Sequence, residues 1–313
     1  MWVTSTPETA LTPTAIALGN FDGVHRGHQQ VFQPILNVPV RSSTNAVYPT
    51  VVSFSPHPRE YFTGQPQALL TPLPEKVEQL QQQGLKQLIV LPFDRELAAL
   101  SPQAFVEDIL IERLHARIIS VGADFCFGRD RTGTAKDLQR IATASGIEVA
   151  VSALQTNGGD RISSSAIRQA LENCQIATAN SLLGRPYSLT GTVKTGQKLG
   201  RTIGFPTANL ELPERKFLPG NGVYIVWVSI EGETRSRHLG VMNLGRRPTV
   251  EDRDRPLPEI HLIDWRGDLY ERTLTVHLEG FLRPEQKFDS LEALKAQISR
   301  DCQAAKGMLD FEM

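Results

Sequence analysis

The chain has 313 residues, enough for two domains of ordinary size, and its composition (40% hydrophobic, 21% charged) excludes a disordered polymer. With 33 Lys+Arg against 34 Asp+Glu the formal charge is −1, which argues against a protein held to nucleic acid mainly by phosphate neutralisation. Cys126, Cys174 and Cys302 are widely spaced and odd in number, so neither a disulfide framework nor a Cys-x-x-Cys metal site is expected, and a reducing, cytoplasmic setting fits. The opening MWVTSTPETALTPT lacks the features of a signal peptide. The longest apolar stretch, near Val223 to Ile230, is far short of the roughly 20 residues that cross a bilayer, so no membrane partner is expected.

In chain order, the first half alternates short apolar runs with helix-like segments. Thr14 to Gly19, Thr50 to Ser55, Leu88 to Phe93, Arg117 to Gly122 and Ile147 to Ser152 read as strands buried on both faces. Between them, SPQAFVEDILIERLHA opens with Ser101 as N-cap and Pro102 at the first helical position, then places Phe105, Ile109 and Leu110 at helical spacing. Such alternation predicts a parallel sheet with helices on both faces, and ligands at the carboxyl ends of its strands.

Three loops fall at that rim. GNFDGVHRGH (Gly19 to His28) follows the first strand and opens a helix. Its glycines let backbone approach a phosphate, and His25 and His28 can face one oxyanion; by itself, His-x-x-His favours a surface turn, and a metal site lacks a nearby Cys or carboxylate cluster, but the full string after the first strand points to function. SFSPHPREYF (Ser53 to Phe62) follows the second strand, and VGADFCFGRDRTG (Val121 to Gly133) the fourth. Both carry aromatic side chains that could line a pocket for a planar ligand or could simply be core. RISSSAIRQAL (Arg161 to Leu171) sets three serines at a helix start with Arg168 a turn later, either an ordinary N-cap or a second phosphate cradle.

From Ser188 the pattern changes to extended segments divided by Gly, Pro and Asn: LTGTVKTG, GVYIVWVSI, RHLGVMNLG, EIHLID and LTVHLEGFL. These predict an antiparallel barrel or sandwich, closed by a helix over SLEALKAQISRDCQAAKGML whose stripe is Leu291, Leu294, Ile298 and Cys302. The expected domains are 1–184 and 185–313. GTVKTGQKLGRTIGFPTANL (Gly191 to Leu210) is either a Gly-rich hairpin or an anion loop, with hard oxygens on Thr207 and Asn209 suited to Mg²⁺.

GxFDGxHxGH, a PHP loop, GxDFxFG and ISSxxIR in this order resemble the nucleotidyltransferase module of bacterial bifunctional riboflavin kinase/FAD synthetases. The resemblance implies an α/β, Rossmann-like domain that binds ATP through Gly19, Phe21, Asp22, His25, His28, Ser163, Ser164 and Arg168, with His25 and His28 in catalytic roles. It places the flavin against Pro56, His57, Pro58, Phe62, Asp124 and Phe127. Cys126 stands where a basic residue is common, and Ser165 where many members carry Thr.

GRxxGFPTAN, LPGNGVYIVWV, GVMNLGRRPTV and PEIHLIDWRGDLYERTLTVHLEGFLRPEQKF are similar to riboflavin kinases, whose fold is a six-stranded β-barrel. This second resemblance implies nucleotide contacts at Gly196, Lys198, Gly200, Thr207 and Asn209, Mg²⁺ at Thr207 and Asn209, and Glu259 as base toward the riboflavin 5′-hydroxyl. It also implies that Met242 to Thr249 borders the flavin, with Arg246 and Arg247 either part of that border or surface charges. The expected enzyme makes FMN from riboflavin and FAD from FMN, with ATP as co-substrate, Mg²⁺ as cofactor and no nucleic-acid partner, as a monomer or weak homo-oligomer. The alternatives are a chain with one live activity and a non-catalytic flavin-binding protein.

Overall fold

The computed structural model describes residues 1–37, 46–157, 160–195, 204–233, 237–245 and 256–309. The chain divides into two compact units, Met1–Ser164 and Ser165–Met313.

In the first unit, β1 (Trp2–Thr4) and β2 (Thr14–Leu18) lead to α1 (Arg26–Leu36), and β3 (Tyr48–Ser55) leads to α2 (Pro58–Thr63) and α3 (Leu73–Gln82). β4 (Gln87–Pro92) is followed by α4 (Arg95–Ala99) and α5 (Pro102–Ala104), which runs on as a π-helical segment, Phe105–Arg113. β5 (Ala116–Gly122) continues through the hairpin β6 (Cys126–Phe127) and β7 (Gly133–Thr134) to α6 (Ala135–Ala144) and β8 (Glu148–Ser152). A short hairpin, β9 (Thr156–Asn157) with β10 (Asp160–Arg161), ends the unit.

Six strands form one parallel sheet in the order β1-β4-β3-β2-β5-β8. Alternate side chains explain why its strands read as unbroken apolar runs. Ala15, Ala17, Val51 and Leu88 pack against Val31, Phe32 and Ile35 of α1 and Leu80 of α3. Ile16, Leu18, Val52 and Ile89 pack on the opposite face against Phe105, Val106, Ile109 and Leu110 and against Leu138 and Ile141 of α6. The chain steps from β2 outward to β3 and β4, then returns to β5 on the other side of β2. The carboxyl ends of β2 and β5 therefore flank a topological switch point.

The five predicted strands are present, and two features differ from expectation. β1 is an extra edge strand, three residues long with Trp2 and Val3 exposed, held by the Trp2 N–H donating to the Lys86 carbonyl (2.9 Å). The predicted helix starts as expected, with the Ala104 N–H donating to Ser101 Oγ (3.1 Å), but it widens to π geometry from Phe105. An apolar stripe reports the buried face, not the width of the turn.

In the second unit, α7 (Ser164–Glu172), which begins one residue before the division, and α8 (Ile176–Leu183) precede the barrel strands. These are β11 (Tyr187–Lys194), β12 (Ala208–Glu211), β13 (Gly222–Ile230), β14 (Arg237–Gly245), β15 (Leu257–Leu262) and β16 (Thr273–Arg283), and α9 (Leu291–Leu309) follows. The strands close antiparallel in the order β11-β12-β15-β14-β13-β16. Tyr224, Met242 and Ile260 are register neighbours that fill the interior. Ile225 and Val241 face outward and are covered by Ala305 and Cys302 of α9. α8 packs with the barrel: Asn180 Nδ2 donates to the Leu278 carbonyl and the Tyr187 N–H to Asn180 Oδ1, each at 2.8 Å.

The predicted stripe of α9 is displaced at its start. Leu291 is exposed, whereas Asp301 and Ala305 are buried, because the helix meets the barrel only after its first turn. Asp301 is buried with its charge answered: Arg283 donates to its carboxylate from Nε (3.1 Å) and Nη2 (2.8 Å).

Candidate active sites

The dihistidine turn sits at the switch point. β2 ends at Leu18, the Gly19 N–H donates to the Val52 carbonyl (3.1 Å), and the chain then kinks sharply. Phe21, Gly23 and Val24 all have positive φ (49°, 92° and 45°). For a β-branched residue such as Val24 that conformation costs on the order of 1–3 kcal/mol, so surrounding contacts must enforce it. They come from well downstream. The Asp22 carboxylate accepts from the Leu70 N–H (3.1 Å), the Thr71 N–H (3.0 Å) and Thr71 Oγ1 (3.3 Å), and Thr71 Oγ1 also accepts from the Gly23 N–H (2.9 Å). Ser164 Oγ donates to the Asp22 carbonyl (2.7 Å), and Lys76 Nζ to the Asn20 carbonyl (2.8 Å).

The kink delivers two imidazoles to the start of α1. His25 is the N-cap, its Nδ1 accepting from the His28 N–H (3.2 Å), so a neutral His25 carries its proton on Nε2. The two rings stack, with centroids 3.5 Å apart and planes 17° apart. Phe21 stands edge-on beneath His28 at 5.2 Å. His28 Nδ1 is buried and has no hydrogen-bond partner among the described residues. Burial holds the His28 imidazole well below its ordinary pKa, and His25 and Lys76 push the same way. A Cβ on Gly27 would press on the His25 ring at 3.2 Å, which accounts for glycine there. Stacked imidazoles beside a helix N-terminus suit hydrogen bonding to phosphate oxygens.

Two of the flavin-assigned residues, Phe62 and Phe127, are joined by a continuous run of aromatic contacts. His57 caps α2 by accepting from the Arg59 N–H (3.1 Å), and Pro58 is its first residue. Phe62 is 64% exposed, and Tyr61 and Phe62 pack edge-on against Phe93. From Phe93 the contacts continue through Phe54 and Phe105 to Phe127, which stacks on Phe125. Phe127 is buried within this run, and Asp124 is ion-paired with Arg161. Beside Ser55, where the PHP loop begins, an open cleft of about 600 Å³ is lined by Val3, Thr4, Ser5, Leu73, Val90 and Pro92. Phe93 and Lys76 have no motif around them that would have marked them in the sequence.

The second site is set by strand register. Asn209 on β12 pairs with Glu259 on β15, and Glu259 pairs with Asn243 on β14, which puts the three on one row of the barrel's outer face. Two residues along from Glu259, His261 stands in hydrogen-bond range of the Pro206 carbonyl (Nδ1 to O, 2.9 Å), which fixes the proton on Nδ1. Phe205 lies edge-on to the His261 ring at 5.3 Å. β15 thus carries Glu259 and also holds the entry to Thr207 and Asn209. Thr207 is exposed, and Asn209 is buried. Asn243 and His261 belong to motifs already singled out, but only the register reveals their places.

Gly196, Lys198, Gly200, Arg246 and Arg247 lie outside the described residues. Arg168 belongs to the second unit, where its guanidinium lies 5.7 Å from the centre of the Phe217 ring. Among the described residues no group of three or more His, Cys, Asp or Glu could hold a metal ion, and no helix is long and apolar enough to cross a membrane.

Comparison with known proteins gives a consistent answer. The family model described as FAD synthetase matches residues 8–166, and the one described as riboflavin kinase matches residues 183–309. A bifunctional riboflavin kinase/FMN adenylyltransferase of Escherichia coli K12 is 43% identical over 91% of this chain and 90% of its own. Those of Pseudomonas fluorescens and Bacillus subtilis are 40% and 36% identical, each over 93% of this chain and 91% of their own. A crystal structure from Streptococcus pneumoniae, of a protein described as a macrolide-efflux protein, is similar with a TM-score of 0.84 at 30% identity, covering 97% of this chain and 98% of that one. With two family models in sequence and relatives alike over nine-tenths of its length, the chain belongs to the bifunctional riboflavin kinase/FMN adenylyltransferase family.

Proposed function

We propose that the chain carries out both reactions of its family's name: riboflavin and ATP give FMN and ADP in the barrel unit, and FMN and ATP give FAD and pyrophosphate in the α/β unit. The observation that carries this reading is the order of the two family matches, each falling on the unit that holds the corresponding candidate residues, Arg168 excepted. The working modules are proposed as 1–184 and 185–313, and the setting as cytoplasmic, with no nucleic-acid partner and a monomer or weak homo-oligomer as the working form.

In the α/β unit, an FMN phosphate oxygen attacks the α-phosphorus of ATP and pyrophosphate leaves. Charge grows on the oxygens of the transferring group, so aligned donors matter more than a nucleophilic side chain. His25 and His28, stacked and with His28 held toward its neutral form, supply such donors at the start of α1. Gly19 and Phe21 shape the turn, Asp22 anchors it, and Ser163 and Ser164 stand at the start of α7. Pro56, His57, Pro58 and Phe62 are proposed to border the flavin, with Asp124 and Phe127 supporting the facing loop.

In the barrel unit, the riboflavin 5′-hydroxyl attacks the γ-phosphorus, and Glu259 accepts its proton as the new bond forms. Gly196, Lys198 and Gly200 are proposed nucleotide contacts. Thr207 and Asn209 offer two neutral oxygens and no carboxylate cage, a donor set that fits Mg²⁺ held chiefly by phosphate oxygens and water. When bound there, Mg²⁺ supplies charge neutralisation at the phosphates.

The test is chromatography of riboflavin, FMN and FAD after incubation with riboflavin, ATP and Mg²⁺. Wild type is expected to form FMN and then FAD. His28→Ala should stop at FMN, and Glu259→Ala should make no FMN yet convert supplied FMN to FAD. Loss of both activities in either folded variant would overturn the assignment of residues to reactions. Binding of flavin without ATP turnover would restore the non-catalytic reading.

A further inference from the structure

At the dihistidine turn, Arg26 is exposed at the start of α1 and His28 is held toward its neutral form. A reaction that gathers a triphosphate and releases pyrophosphate needs positive charge close by. Lys76, on α3, supplies it from outside any motif. Its ammonium donates to the Asn20 carbonyl (2.8 Å), a carbonyl that also accepts from Ser53 Oγ (3.2 Å). Two side-chain atoms at the same turn, Asn20 Oδ1 and His28 Nδ1, are buried with no hydrogen-bond partner among the described residues. Buried polar atoms without partners are rare, and at this turn they mark a place prepared for a polar ligand.

We infer that Lys76 is a positioning residue of FMN adenylylation, a positive charge that pins the phosphate-binding turn beside His28. The inference rests on the adenylyltransferase reading of this unit. Charges around the pair act in consistent directions. His25 and Lys76 face His28, and both disfavour its protonation; Asp22 faces Lys76 and favours the ammonium against the cost of burial. A lysine that only satisfied the Asn20 carbonyl could be replaced by a neutral donor without loss. One that acts through its charge could not.

The experiment compares Lys76→Gln, Lys76→Met and Lys76→Arg in the full chain, assaying FAD formation from supplied FMN and FMN formation from riboflavin separately. Gln and Met are expected to lower kcat for FAD formation by about 10²-fold, the scale of losing one electrostatic stabiliser, with riboflavin phosphorylation unchanged. Arg should recover most of the rate. The His28 imidazole, followed by NMR, should titrate at higher pH in Gln and Met, because a like charge has been removed, and the acid limb of FAD formation should move with it. Full FAD formation in Lys76→Gln, or an unmoved His28 titration in that variant, would overturn the inference. If wild type itself converts no FMN to FAD, the adenylyltransferase reading fails instead. If Met alone fails to fold, as judged by loss of riboflavin phosphorylation and thermal unfolding, Gln and Arg still decide.

Discussion

The two units build their candidate sites in physically opposite ways. The first bends its backbone into strained conformations and pins the bend from residues about fifty positions downstream, at Leu70, Thr71 and Lys76. The second leaves the backbone regular and lets antiparallel register set Asn209, Glu259 and Asn243 in one row. A strained turn depends on its anchors, so its function is exposed to substitutions well away from the turn. A register row is protected by the whole barrel and is sensitive mainly to the side chains in the row.

That contrast is broken most severely at Asp22. Its buried carboxylate receives three hydrogen bonds, and leaving those donors unmet costs roughly 1–3 kcal/mol each at the high end of such losses. Asp22→Ala is expected to abolish FAD formation, by about 10³-fold or more, and to lower the thermal stability of the first unit. FMN formation should continue, and equal loss of both activities would remove the contrast.

A smaller effect is expected at His261, where the barrel does depend on one anchor. His261→Phe keeps a ring against Phe205 but removes the donor to the Pro206 carbonyl. The Michaelis constant for ATP in riboflavin phosphorylation should rise about tenfold, the worth of one ordinary hydrogen bond, with FAD formation from FMN unchanged. An unchanged ATP dependence would show that the Pro206 segment holds its place without this contact.

The smallest effect is on stability against pH. Burial pushes the His277 imidazole down to about 4, with Arg237 and Arg185 adding to the shift. Its ordinary value is about 6.5, so below that pH the unfolded chain binds a proton that the folded barrel refuses. The contribution is complete above about pH 6.5 and is lost as pH falls toward 4, by at most ~1.4 kcal/mol per pH unit. His277→Gln should flatten that slope in thermal unfolding between pH 7 and 4. An identical slope in wild type and variant would remove His277 as its source.

Legibility in the sequence followed the range of the interactions involved. The doubly buried strands β2 to β5 were legible because a strand covered on both faces is apolar at nearly every position, and the edge strand β8 because its run is apolar even where Val151 is exposed. β1 was not, since three half-exposed residues become a strand only when the edge of β4 is there to pair with them. The widening to π geometry after Phe105 changes hydrogen bonding without changing which side chains are apolar. The histidines stood out as a compact string, whereas Lys76 did not, because it joins the turn by a contact across 56 positions. Asp22, read as a nucleotide contact, has its carboxylate turned to Leu70 and Thr71. Asn209 and Glu259 were singled out by motif, and their being neighbours is a property of register alone.

The central claim is that two separate sites act in succession through FMN. The direct measurement mixes the two single-site variants, His28→Ala and Glu259→Ala, in equal amounts with riboflavin, ATP and Mg²⁺, and follows FAD. Neither variant alone should take riboflavin to FAD, and the mixture should, because FMN made by the first can be adenylylated by the second. FAD from riboflavin in either variant alone, or none in a mixture whose members each retain their remaining half-reaction, would contradict the account.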